Sequence, residues 1–169
     1  MRAVRRLAFS LLEVTLAVAI VGVTTAAVLG LLAGMARRSS DARDRRVAAG
    51  LADAIAGELR RQIAAEGWGA VVARSAHAGP EGGLRLVARR DGSGVRPWPP
   101  VESRPVEEYF LVEARRFPDG ALAYKPDDGA LPLSVTVSWP YRPGGAEDRE
   151  RDVRADRRAL LVFSIALNR

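Results

Sequence analysis

The sequence predicts an α+β protein: a long N-terminal helix, apolar and then amphipathic, packed on a small antiparallel sheet. Three observations predict it. The 22 residues Val14–Met35 carry no charge at all. Beyond them, apolar residues recur at every fourth position. The second half is cut into short apolar or alternating runs, separated by stretches rich in glycine, proline or charge.

The uncharged run comes first. As a helix rising about 1.5 Å per residue it is roughly 33 Å long, which matches a bilayer hydrocarbon core of roughly 30 Å. Arg2, Arg5 and Arg6 precede it, and Arg37 and Arg38 follow it. It is longer than the apolar region of a cleaved secretory signal, about 7–15 residues. A small domain also lacks the surface to cover such a helix on all sides. The run is therefore read as membrane-spanning.

The helix is expected to continue past the bilayer. Val47, Leu51, Ile55, Leu59 and Ile63 form a stripe at every fourth position, with Ala48, Ala52 and Ala56 beside it. Asp53, Glu58, Arg60 and Arg61 are expected to point away from that stripe. No proline occurs before Pro80, Gly30, Gly34 and Gly50 are places where the helix can bend, and Gly67-Trp68-Gly69 reads as the stop. One helix from Phe9 to Glu66 would be roughly 87 Å long.

The head, 67–169, reads as a sheet. Gly83–Arg90 places Leu84, Leu86 and Ala88 on one face. Tyr109–Phe117 and Ala121–Tyr124 flank Pro118-Asp119-Gly120, a hairpin signal. Ser134–Tyr141 alternates, with Val135, Val137, Trp139 and Tyr141 expected against the helix. Ala159–Leu167 is almost wholly apolar, the pattern of a central strand covered on both faces. Two long connections, 91–107 and 142–158, separate these runs; the second has six arginines and five acids, a net charge of +1.

Composition narrows the chemistry. The 169 residues allow one ordinary domain, or a small domain with one attached element. There are no cysteines, so disulfides, thiolate metal sites and a cysteine nucleophile are excluded. The only histidine is His77. A Ser75–His77 pair lacks any marked orienting acid or oxyanion site. Gly92-Ser93-Gly94 lacks the rest of a phosphate-loop pattern and reads as a turn. Asp127-Asp128-Gly129 also reads as a turn, because two adjacent acids do not supply the six to eight oxygens a calcium ion takes. No enzyme activity, cofactor or metal is expected. The net charge is +6, but 25 of the 26 basic residues are arginine and they are dispersed among acids. Trp68, Trp98 and Trp139 form no stacking run, so nucleic-acid binding has no motif behind it.

Glu13 is the residue that asks for a function. It stands at the start of the apolar run, where a carboxylate is costly unless paired or neutralised. An interfacial side chain reaching water is the plainer alternative. Its neighbours weigh against that. The stretch Arg5-Arg6-Leu7-Ala8-Phe9-Ser10-Leu11-Leu12-Glu13-Val14-Thr15-Leu16 resembles the N-terminus of type IV pilins and of type II secretion pseudopilins: a basic leader, a small residue, Phe, Ser or Thr, two aliphatics, and Glu as the fifth residue after the cut. The likeness spans roughly residues 1–36. The family usually has Gly where this chain has Ala8.

That resemblance implies a series of expectations. Residues 1–8 are a leader, 9–36 a transmembrane and filament-core helix, and 37–66 its amphipathic continuation. A prepilin peptidase cuts between Ala8 and Phe9 and methylates the Phe9 amine. Glu13 of one subunit then neutralises that amine on its neighbour. The chain sits once through the inner membrane, N-terminus cytoplasmic and head periplasmic, although the arginines beyond the helix mean that the positive-inside rule does not itself favour this orientation. The partners are the peptidase, other pilin or pseudopilin subunits and an inner-membrane assembly platform. Arg37, Arg38, Arg43, Arg45 and Arg46 read as a solvated helix face or, more sharply, as contacts to anionic lipid or a neighbouring subunit. The absence of a C-terminal cysteine pair favours a minor subunit. The alternative is a single-pass anchored binding module, with DNA capture by a competence pilin as one version.

Overall fold

The computed structural model describes residues 10–76, 83–98, 108–141 and 154–169. The chain is α+β and divides into two units, 1–43 and 44–169.

The described residues of the first unit are helical. Helix α1 spans Leu11–Gly50, and its residues up to Arg43 belong here. The Ser10 hydroxyl caps the start, accepting the Glu13 backbone N–H at 3.2 Å. Every residue from Ser10 to Ser39 is exposed. The threonines inside the apolar run satisfy their own hydroxyls: Thr24 donates to the Ile20 carbonyl and Thr25 to that of Val21, each at 2.8 Å. Such bonding lets a polar side chain sit in a medium that offers no partner.

The second unit begins at Asp44 and contains the rest of α1, helix α2 (Ala52–Glu66), helix α3 (Trp68–Ser75) and a five-stranded sheet. The strands are β1 (Leu84–Ala88), β2 (Arg96–Pro97), β3 (Phe110–Arg116), β4 (Ala130–Trp139) and β5 (Ala159–Asn168). Their order is β2-β1-β3-β4-β5, antiparallel throughout. The helical stripe predicted from sequence packs on the sheet. Ala48, Leu51, Ile55, Ala56 and Leu59 are buried in one core with Leu84, Leu86, Phe110, Val112, Val135 and Val137. Val47 and Ile63 cover its margins. A fully buried aliphatic side chain contributes about 2 kcal/mol of transfer free energy, so this stripe is a large part of what holds α2 down.

Several expectations need correction. The long helix does run to Glu66, with a bend at Leu51, beside Gly50, where the N–H reaches back only three residues, to Ala48. Gly67 ends α2 as expected, at φ +91°, but a further helix, α3, starts at Trp68. Glu58 is buried, its charge met by Arg61 at 2.6 Å. There is no hairpin at Pro118-Asp119-Gly120: 121–124 makes only an isolated bridge, Phe117 to Ala123, and β3 pairs instead with β4. Tyr141 lies past Pro140 and packs on the opposite sheet face, with Val87, Leu111 and Trp98. The apolar segment Ala159–Leu167 is an edge strand, with Leu160 and Val162 each 60% exposed. The unforeseen β2 sits inside the long 91–107 connection.

Candidate functional site

Two groups of residues are candidates for function: the start of the apolar helix, and the place where the helix meets the sheet.

At the helix start, Ser10 and Glu13 occupy the first and fourth positions of a capping box, a serine with an acid three residues on. The Ser10 half is formed, through the Glu13 N–H. Glu13 is exposed and is the one ionisable residue between Ser10 and Ala36. No ion pair joins its carboxylate to another described residue. An acid in the first turn also lies favourably toward the helix dipole, so its position is locally stable without a partner. Ala8 and Phe9, the expected cleavage and methylation residues, lie outside the described residues, as does His77.

Arg37, Arg38, Arg43, Arg45 and Arg46 are all exposed along α1. The head arginines are arranged differently. Arg85 is held by Glu113 at 2.7 Å, Arg96 by Glu108 at 3.1 Å and Arg90 by Asp44 at 3.0 Å. Arg74 pairs with Glu66. Paired guanidiniums leave less positive charge for phosphates than the arginine count suggests.

Asp44 was not legible as a special residue. It sits in α1 among arginines, and no local pattern marks it out. Its side chain is 5% exposed. The Tyr109 hydroxyl donates to Oδ2 at 2.6 Å, and Arg90 donates to both oxygens, at 3.1 and 3.0 Å. Arg90 also lies over the Tyr109 ring, 4.8 Å from its centroid. The hydrogen bond to Asp44 pushes the Arg90 guanidinium above its ordinary value. Just beyond, the Asp91-Gly92-Ser93-Gly94 turn comes against the helix. The Asp91 carboxylate accepts the Ser93 N–H and hydroxyl at 2.9 and 2.7 Å, which holds its pKa below the usual range. Gly92, at φ +84°, brings its backbone so close that a Cβ would meet Val47 Cγ1 at 3.0 Å. This cluster pins the helix to the β1–β2 connection exactly where the head begins, and its chemistry is structural.

The remaining features are ordinary. Ser75 is buried and donates to the Val72 carbonyl at 2.7 Å. Asp127 and Asp128 are exposed in a short 3-10 turn. Among the described residues no three His, Asp or Glu side chains converge.

One helix of the chain is long and apolar enough to cross a membrane. A long apolar N-terminal helix with a small antiparallel sheet is compatible with a pilin-like fold. No family model, curated protein or solved structure matches the chain.

Proposed function

We propose that the chain is a structural, minor subunit of a type IV pilus or of a type II secretion pseudopilus. The observation that carries this reading is the stretch from Ser10 to Ser39: a helix exposed on every side, apolar almost throughout, with Glu13 its acid in the first turn. Such a surface needs lipid or other apolar helices around it. The head buries its own core and so needs no help from that helix to do so.

In this reading a prepilin peptidase removes Met1–Ala8 and methylates the amine of Phe9. Methylation retains the positive charge. In the filament the Glu13 carboxylate of one subunit meets that amine on the next, which removes two charges from an apolar environment together and sets the axial register. The helix first anchors the chain once in the inner membrane, with the head on the periplasmic side, and an assembly platform moves it into the filament. Arg37, Arg38, Arg43, Arg45 and Arg46 contact anionic headgroups or the adjoining subunit.

The test is the N-terminal peptide mass of the protein from cells that contain its peptidase. A chain starting at methylated Phe9 supports the reading, and a chain that keeps Met1–Ala8 overturns it. Glu13→Ala is expected to leave leader cleavage largely intact and to impair assembly.

A further inference from the structure

A cleft of about 700 Å³ opens where the end of β3, the C-terminal end of α3 and the loop 117–124 meet. It lies wholly within the head, so it is present whichever assembly the chain joins. Its size falls in the range of small-molecule sites, roughly 300–1,000 Å³. An isolated bridge from Phe117 to Ala123 closes the loop that forms one wall.

Arg116 is the charge in this cleft. Phe110, Val112 and Ala114 face the core beneath the helices. Side chains alternate along a strand, so Arg116 ends that row. Arg115 falls on the other face of the sheet, 3.5 Å from Glu113. The half-buried arginines Arg74, Arg85, Arg96 and Arg115 each pair with an acid. Arg116 is half-buried too, yet it makes no hydrogen bond or ion pair with another described residue. A partly desolvated charge without a counter-charge is unfavourable.

The surroundings ask for an anion. No acid lines the cleft among the described residues. The Tyr124 hydroxyl accepts the Trp68 indole N–H at 3.4 Å, and its own proton meets no acceptor among the described residues. The Ser75 proton is already taken by the Val72 carbonyl. Phe117, Pro118 and Ala123 supply apolar wall. The C-terminal end of α3 lines the opposite side and carries about half a negative charge. One guanidinium set against that suits a monoanion better than a phosphate dianion.

We propose that this cleft binds a carboxylate carried on an apolar body. Arg116 takes the carboxylate through its paired N–H donors, the Tyr124 hydroxyl donates to it, and the body lies against Phe117, Pro118 and Ala123. The carboxylate belongs to the free end of a polypeptide or to a small acid; the two share this chemistry.

The chain's own acids are the competing occupants. Glu108, which follows 99–107, and Tyr141, which precedes 142–153, stand at the other end of the sheet, where the Tyr141 N–H donates to the Tyr109 carbonyl. From Tyr109 to Arg116 the chain runs about 24 Å. Residues 77–82 continue directly from Ala76 in the wall of the cleft and contain one acid, Glu81. Glu81 is therefore the acid to remove.

The test uses the full-length chain in detergent and reads its three tryptophan indole N–H resonances. Trp68, bonded to Tyr124, reports on the cleft; Trp98 and Trp139 are controls. Phenylacetate should shift the Trp68 resonance saturably, with a Kd of about 1 mM. Phenylacetamide, its neutral analogue, should not. No saturable shift, an equal shift by phenylacetamide, or inorganic phosphate binding as tightly overturns the proposal. Arg116→Gln should weaken phenylacetate about tenfold, the loss of one charged hydrogen-bonding partner, with thermal unfolding unchanged; undiminished binding overturns the proposal. Should that variant unfold, Arg116→Lys keeps the charge without the fork, and should weaken binding about threefold; undiminished binding there has the same meaning. Glu81→Gln should bind as the unaltered chain does, whereas binding gained only in Glu81→Gln shows that the chain fills its own cleft and overturns the proposal. Acetyl-Ala-Ala-Phe, a peptide with a free carboxylate, separates the two sources. Binding about tenfold tighter than phenylacetate supports the site with a polypeptide end as its ligand, and equal or weaker binding supports it with a small acid.

Discussion

Residues 11–43 and 44–66 form two stretches of helix with opposite surroundings. In the first, apolar side chains face outward on every side, from Leu11 at 85% exposure to Met35 at 62%. In the second, a narrower stripe of apolar residues is buried and charges occupy the remaining face. Helix propensity does not separate them, since both are rich in alanine. What differs is the width of the apolar surface. A stripe of about 100° needs one cover, which the sheet supplies; an all-round apolar surface needs a solvent of its own kind.

Five substitutions sharpen that contrast. The largest effect is expected at Leu59, which is fully buried. Leu59→Ala should destabilise the head by about 3 kcal/mol in denaturant unfolding of the detergent-solubilised chain. Leu29→Ala, in the exposed stretch, should change it by less than about 0.5 kcal/mol; equal losses at both sites would erase the distinction between the stretches. Next is Asp44, the first residue of the head. Asp44→Ala takes the acceptor from Tyr109 and Arg90 and should cost about 2 kcal/mol in the same unfolding experiment. Gly92→Ala should follow at about 1 kcal/mol, from the strained φ and the contact with Val47. Gly94→Ala, whose Cβ would come no closer than 3.7 Å to Arg89, shares the strained φ but lacks the crowding, so it should cost less.

The smallest effect is one of pH. Asp91 has its pKa lowered by the Ser93 hydrogen bonds. A carboxylate with a lowered folded pKa stabilises the fold above its unfolded value, and loses that contribution as the pH falls through the folded one. Ser93→Ala should move the Asp91 titration up toward its ordinary value of 3.8, read by carboxyl-carbon NMR. An unmoved titration would show that the turn does not hold the carboxylate.

Legibility followed the range of the interaction. The apolar run, the stripe Val47–Ile63, the alternation of Val135, Val137 and Trp139, and the stop at Gly67 all arise between near neighbours, and the structure has each of them. The misreadings were non-local. Pro118-Asp119-Gly120 has the residues of a hairpin turn, yet β3 found a longer and more apolar partner in β4. Ala159–Leu167 reads as central because its side chains are apolar on both faces, but position in a sheet depends on which other strands exist. At the candidate site, residues 5–16 carried a resemblance in the sequence, and Glu13 lies in the first turn of α1. The Ser10 half of the capping box was equally available in the sequence, from the three-residue spacing of Ser10 and Glu13.

Chain-local chemistry thus settled that there is a membrane-length apolar helix, an amphipathic continuation and a set of strands, because periodicity and length depend on residues within a turn or two of each other. Tertiary packing settled which acid is buried, which strand is an edge and where the helix is fastened. Asp44 is in hydrogen-bonding contact with residues 46 and 65 positions away, and β5 is an edge because no described strand lies beyond it. Local patterning does not encode either fact, since each depends on the free energy of bringing distant segments together.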